Sequence, residues 1–265
     1  ATRLDGVRSK IFLDRYSWKD EQGIPTEEVP EQMWARVARE IAKVEKTDAL
    51  KKHWEERFYH ALSDFKFLPG GRILSAAGTG YEVTYYNCFV IPSPKDSRGG
   101  IIDNLKVMME IMSRAGGVGI NLSSLRPSGS RVHKVNGTSS GPVSWASLYS
   151  TGTHDVIQQG GSRRGALMLM LNDWHPDVEQ FIEVKQDLSK INGANLSICA
   201  SDSFMEAVQN DADWTLRFPD TKHPKYDIEW DGDILEWEAK GYPTKVYKTV
   251  KAKEIRFEKE FKIEF

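Results

Sequence analysis

The run ALMLML (166–171) constrains the chain most. Six consecutive apolar residues are too few to span a bilayer and lack the three-to-four spacing of an amphipathic helix. They read as a strand buried on both faces, as in a parallel sheet covered by helices. YYNCFVI (85–91) reads as a second buried strand, and VGINL (118–122), NLSIC (195–199) and DWTLRF (213–218) as further strands. Helical segments fall between them: Ile101 to Met112, ended by Ala115-Gly116-Gly117; Pro142 to about Ile157; Pro176 through Val184; and Ser201 through Val208. Strand and helix alternate, so the class is α/β with many parallel pairings.

A helical region precedes this alternation. Pro30 suits a first turn, and Met33, Trp34, Val37, Ile41 and Val44 follow at spacings of three and four. A second helix starts near Thr47 or Asp48, with Leu50, Trp54, Phe58 and Leu62 as an apolar stripe whose simplest role is core packing. Pro69, Gly70 and Gly71 end the helical region. Residues 219–251 are more polar with weak periodicity, and the final IRFEKEFKIEF alternates apolar with charged residues like an exposed or edge strand.

Charge and cysteine content narrow the function classes. The 265 residues carry 36 Lys plus Arg against 38 Asp plus Glu, a balance that points away from a nucleic-acid polymer or an anionic membrane as partner. No apolar run approaches the ~20 residues of a membrane span, and the first residues lack the apolar core of a secretory signal. Two cysteines, Cys88 and Cys199, make no disulfide scaffold, so a reducing cytoplasm is expected. The six histidines and two cysteines show no metal-ligand spacing, and no metal is expected.

Three glycine-containing segments invite ligand readings. AGGVG (115–119) follows a helix and opens a strand, the reverse of the dinucleotide-binding order, so a tight turn is the simpler reading. QQGGSRRG (158–165) places Arg163 and Arg164 directly before the apolar strand, where two adjacent charges need a ligand, a partner or solvent. The loop 126–141 carries Arg126, Arg131, His133 and Lys134 and then GTSSG before Pro142; backbone N–H groups at a helix start favour anions, although a plain capped helix explains it equally. Cys88 and Cys199, both within strands, are read first as core residues.

The ordered series LPGGRILSAAGT, YYNCFV, IIDNLKVMMEIMSRAGGVGINLSSLRPSGS, NGTSSGPVSW, VIQQGGSRRGALMLML, WHPDVEQFI and NLSICASDSFM resembles the large subunit of ribonucleotide reductase over about residues 10–254, above all the adenosylcobalamin-dependent (class II) enzymes. The resemblance implies an N-terminal helical domain (1–68), the first, parallel five-stranded half of a ten-stranded α/β barrel (69–254) and an atypical tail (255–265). It implies thiyl-radical reduction of ribonucleotides to deoxyribonucleotides. Cys88 then matches the N-terminal member of the redox cysteine pair. Gly71, Ser75, Asn87, Ala115 and Gly116 match positions at the substrate. Asp103, Arg131, Gln159, Gly160, Gly161, Arg163 and Arg164 match the site of a nucleoside triphosphate effector, dNTP or ATP. Adenosylcobalamin is the implied cofactor, with most of its contacts outside this segment.

The implied partners are the ribonucleotide substrate, the effector, a thioredoxin-type reductant, the C-terminal half of the enzyme and a second copy of the chain. For that dimer, helices near 101–114 and 142–157 offer Met108, Met109, Ile111 and Met112, although core packing accounts for these side chains too. No cysteine follows Cys199, so the radical cysteine and the second redox cysteine are missing and the 265 residues alone are expected to be inactive. The alternative is a non-catalytic nucleoside-triphosphate-binding module of a split reductase.

Overall fold

The computed structural model describes residues 4–132, 135–156, 165–187 and 189–255. They fall into two compact units, one running to Asn87 and including Arg114–Gly116, the other formed from Cys88 onward by the remaining described residues.

The first unit is helical: α1 (Gly6–Arg15), α2 (Pro30–Ala42), α3 (Asp48–Leu62) and the short α4 (Gly71–Ala76). Pro30 opens α2, and the Gln32 side chain folds back to accept the N–H groups of Glu28 and Val29. Thr47 caps α3 through the N–H of Leu50. Met33, Trp34 and Val37 of α2 meet Phe12, Leu62, Leu74 and Ala77 in one core. The expected stripe on α3 is buried only toward its end. Leu62 is in the core and Phe58 packs against it, whereas Leu50 is exposed, because α2 covers only part of α3. Val44 lies beyond the end of α2 and is exposed. Pro69 and Gly70 do not end the helical region: α4 starts at Gly71 and contributes Leu74 and Ala76 to the interior.

A buried ion pair ties α2 to this unit. The Arg36 fork donates from Nε and Nη2 to the two carboxylate oxygens of Glu27 at 2.7 and 2.9 Å. Its remaining N–H groups reach the carbonyls of Ala77, Leu74 and Tyr16. Lys could not supply this planar set of donors.

The second unit is α/β. Its elements are β1 (Cys88–Val90), α5 (Arg98–Ser113), β2 (Gly117–Asn121), the small pair β3 (Arg131–Val132) and β4 (Gly137–Thr138), α6 (Gly141–Thr151), β5 (Leu167–Asn172), α7 (Val178–Glu183), β6 (Asn195–Cys199), α8 (Asp202–Gln209), β7 (Asp213–Pro219), α9 (Tyr226–Glu229), α10 (Ile234–Ala239) and β8 (Thr244–Lys251). Among the described residues four strands form a parallel sheet in the order β1-β2-β5-β6. β7 leaves that sheet and pairs antiparallel with β8.

Register assigns the two faces of the parallel sheet. Val118, Ile120, Leu167, Leu169 and Leu171 share one face and pack with Ile101, Met108 and Met112 of α5, Ala146 and Tyr149 of α6, and Val178 and Phe181 of α7. The other face carries Cys88, Val90, Gly119, Asn121, Met168, Met170, Asn172 and Cys199. ALMLML is therefore buried on one face only: Leu167, Leu169 and Leu171 are interior, while Met168 is exposed and Met170 half-buried. YYNCFVI is likewise not a buried strand. β1 is short, lies at the sheet edge and leaves Cys88 and Val90 exposed. Met108 and Met112 are fully buried in the core and Met109 and Ile111 pack against it, so these four do not form a free dimer face.

Residues 219–251, weakly periodic in sequence, contribute Tyr226, Trp230 and Trp237 to a compact aromatic cluster completed by Trp174 and Phe218. Phe218 and Trp230 meet edge to face with centroids 5.3 Å apart. Residues 256–265, the expected edge strand, lie outside the described residues.

Candidate functional site

In the first unit, Gly71 begins α4 and Ser75 lies one turn on, its hydroxyl reaching the Arg72 carbonyl at 3.4 Å. Asn87 approaches the start of that helix: a Cβ built on Gly70 would lie 3.5 Å from its Nδ2. The segment 114–116 joins the same unit through the Thr84 N–H, which donates to the Arg114 carbonyl at 3.0 Å. Ala115 has φ +66°, a left-handed conformation that normally falls to glycine. The fold thus gathers Gly71, Ser75, Asn87, Ala115 and Gly116 in one helical unit. Cys88 is the first residue of the other.

Cys88 is an exposed free thiol on the open face of the sheet, contrary to a core role. Cys199 ends β6 on that same face and is partly buried. Burial pushes its thiol up, and the nearby Asp173 carboxylate adds to the effect. The two cysteines are not a pair. Cys88 aligns with Gly117 and Cys199 with Asn172, so three strand spacings of ~4.8 Å and roughly six residues of ~3.3 Å rise separate them, about 25 Å. A disulfide needs Cα atoms within ~7 Å.

The C-terminal ends of β2, β5 and β6 carry a polar group on the open face that the sequence motifs did not single out. Asn121 Nδ2 donates to Asn172 Oδ1 at 2.8 Å and lies 3.7 Å from Cys199 Sγ. Asn121 Oδ1 accepts the Ser123 N–H, and Ser123 Oγ accepts the Asn172 N–H. Carboxyl ends of parallel strands are where open α/β sheets bind ligands. The usable sequence signal is the position of each residue near the end of its apolar strand.

Of the residues matched to the effector site, Asp103 is exposed on α5, and Arg131 is exposed on β3 with a hydrogen bond to Asn136 Oδ1. No hydrogen bond or ion pair joins Asp103 to Arg131 among the described residues. Gln159, Gly160, Gly161, Arg163 and Arg164 lie outside them, as do His133 and Lys134. Arg126 is not a free cation of this loop. It pairs with Asp96, which also accepts the Tyr226 hydroxyl at 2.6 Å.

Residues 126–132 and 135–140 form the two arms of a hairpin: the Gly129 N–H donates to the Ser139 carbonyl and the Ser139 N–H to the Ser130 carbonyl. Behind it stand two buried polar residues, His175 and Asp177, just after β5. His175 Nε2 lies 2.8 Å from the Leu125 carbonyl, Nδ1 accepts the Asp177 N–H at 3.0 Å, and Asp177 Oδ2 accepts the Ser128 N–H at 2.8 Å. Burial lowers the His175 pKa to about 4 and raises that of Asp177 above the ordinary carboxylate range.

A family model described as the ribonucleotide reductase all-alpha domain matches residues 7–82, and one described as its barrel domain matches residues 86–259. The chain belongs to the ribonucleotide reductase family. Its relatives include the vitamin B12-dependent ribonucleoside-diphosphate reductase of Mycobacterium tuberculosis, 37% identical over 221 residues that cover 79% of this chain and 31% of the relative. The vitamin B12-dependent enzyme of Thermoplasma acidophilum is 38% identical over 171 residues, covering 64% and 22%. The ribonucleoside-diphosphate reductase large subunit of Arabidopsis thaliana is 30% identical over 278 residues, covering 97% and 32%. The chain thus spans about a third of the length of the curated relatives it matches.

Two relatives are named for vitamin B12, so a corrinoid fit can be asked of this chain. A groove beside β6, lined by Phe181, Ile182, Lys185 and Leu196, encloses about 360 Å³, the lower end of the range for small ligands. A corrinoid is far larger and does not fit it. No helix among the described residues is long and apolar enough to cross a membrane.

Proposed function

We propose that this protein supplies the N-terminal part of a ribonucleotide reductase, which replaces the 2′-hydroxyl of a ribonucleotide by hydrogen. The single observation carrying the reading is the ordered match of both family domains over residues 7–82 and 86–259. In the net reaction the 2′ C–O bond breaks, its oxygen leaves as water and a C–H bond forms. Two thiols become one disulfide, supplying two electrons and two hydrogens. Cys88 is one of the two thiols, and its exposure on an open sheet face suits it to meet both substrate and a second thiol. Cys199, about 25 Å away by strand geometry, is not that second thiol. It and the radical cysteine come from outside these residues, which do not turn over alone. A thioredoxin-type protein re-reduces the pair. Adenosylcobalamin, suggested by the B12-dependent relatives, is the group that would supply the radical, with most of its contacts outside these residues.

In the first unit, Gly71, Ser75, Asn87, Ala115 and Gly116 contact the substrate. Where Gly71 and Gly116 meet it, the missing side chains let backbone approach closely. Asp103 and Arg131, with Gln159, Gly160, Gly161, Arg163 and Arg164, hold a nucleoside triphosphate that selects the substrate base. Calorimetric titration with dTTP tests this assignment. Saturable binding is expected, weakened roughly tenfold or more by Asp103→Ala, since a hydrogen bond to a charged group contributes about 1.5–3 kcal/mol. A folded chain that does not bind dTTP refutes the effector assignment. Cys88→Ser, introduced into a full-length enzyme carrying this segment, should abolish turnover with thioredoxin.

A further inference from the structure

We propose that His175 and Asp177 are positioning residues that hold the base of the hairpin whose arms are 126–132 and 135–140 in the shape needed to receive a nucleotide. The inference rests on the reading of that hairpin as part of the effector site. The segment NDWHPD leaves β5, the central apolar strand, and delivers two buried polar side chains to the hairpin's base. His175 has one arrangement that satisfies both ring nitrogens. Nε2 carries the proton and donates to the Leu125 carbonyl, just before the hairpin, which leaves Nδ1 to accept the Asp177 N–H. The Asp177 backbone is thereby fixed, and its carboxylate accepts the Ser128 N–H.

The opposite strand returns to the same point. Gly141, at φ +79°, passes so close that a Cβ there would fall 2.5 Å from Asp177 Oδ2 and 2.8 Å from the Ser128 nitrogen. One carboxylate therefore sits where the hairpin leaves the body and where it rejoins at the start of α6. Arg131 projects from the hairpin anchored in this way. Neither strand is long enough to define its own geometry, since β3 and β4 have two residues each. The outgoing strand is held by polar contacts: His175 and Asp177 take Leu125 and Ser128, Asp96 pairs with Arg126 between them, and the Ser130 hydroxyl lies 3.0 Å from that of Tyr247.

The test combines amide hydrogen exchange with dTTP titration on wild type, Asp177→Ala, Asp177→Asn and His175→Gln. In Asp177→Ala, exchange should quicken across 126–141 while β5 and β6 keep their protection, and dTTP affinity should fall roughly five- to twentyfold. Asp177→Asn, whose Oδ1 can still accept the Ser128 N–H, should recover most of that affinity. Recovery by Asn is the readout that a merely space-filling role would not give. If Asp177→Ala does not fold, Asp177→Asn and His175→Gln carry the comparison; Asn close to wild type beside a weakened Gln supports the role. Faster exchange with unchanged dTTP affinity overturns the positioning role and leaves the effector reading standing. Unchanged exchange in the hairpin overturns the anchor itself. Absence of dTTP binding by folded wild type overturns the effector reading, and this role with it.

Discussion

Acidification should destabilise the second unit through His175, and the size of the effect follows from its surroundings. The ring is fully buried, between Trp174 and Phe218 at centroid distances of 5.9 and 5.5 Å. Its Nδ1 is occupied as an acceptor from the Asp177 N–H, so a second proton would break that bond and place a charge in an apolar site. Burial accordingly holds the pKa at about 4, against 6.5 for the free side chain. As pH falls through 6.5 the unfolded chain takes up a proton that the folded chain refuses until about pH 4. The stabilisation is complete above the unfolded value and is lost across that window. At ~1.4 kcal/mol per pH unit, the loss between pH 7 and pH 5 is about 2 kcal/mol. Asp173 and Asp177 work in the other direction, because burial raises both carboxyls and the folded state then protonates first. A variant comparison isolates the histidine. His175→Gln keeps an N–H for the Leu125 carbonyl and removes the titration. Urea unfolding, followed by near-ultraviolet circular dichroism of the neighbouring aromatic cluster, should show wild type losing about 2 kcal/mol more than the variant between pH 7 and pH 5. Equal losses in the two proteins would refute the argument.

Two further outcomes follow from other parts of the molecule. Arg36→Met strands the buried Glu27 carboxylate and removes the donor from the Leu74 and Ala77 carbonyls; it should cost the first unit about 3–5 kcal/mol in urea unfolding, with Arg36→Met/Glu27→Met regaining much of it. A double variant no better than the single one would show that the pair is not the source of the loss. Iodoacetamide should alkylate Cys88 at least roughly tenfold faster than Cys199, whose thiol is half-buried and harder to ionise, as read by mass spectrometry. Similar rates would contradict the burial assigned to β6.

What was legible in the sequence was local. Pro30 and Thr47 mark helix starts by chemistry confined to one turn, and α2 and α3 begin there. Arg126 looked like a loop cation because its partner Asp96 stands thirty residues away, and only folding brings the two together. The aromatic cluster escaped because α9 and α10 are too short to show a period. Trp174 after β5, Phe218 of β7, Tyr226 and Trp230 at the two ends of α9, and Trp237 of α10 converge from segments far apart in the chain. The site followed the same pattern. A cysteine and an asparagine next to each other could be matched to family positions, whereas the anchoring of the hairpin by His175 and Asp177 depends on contacts about fifty residues apart.

The least legible property was which side of each strand is covered, and it decides which side chains are accessible. Met168 and Met170 are as apolar as Leu167 and Leu169, so ALMLML carries no alternation, yet the leucines are interior and Met168 is exposed. The face that carries Met168 also carries Cys88, Asn121, Asn172 and Cys199. Side chains alternate with a period of two, so slipping β1 by one residue against β2 would turn Phe89 outward and bury Cys88 against α5. A thiol buried there would reach neither a substrate nor a second thiol. On the proposed redox role of Cys88, the register Cys88↔Gly117 is a chemical requirement as well as a packing one. It is held by Val118 and Ile120, which anchor β2 in the core on which the short edge strand lies.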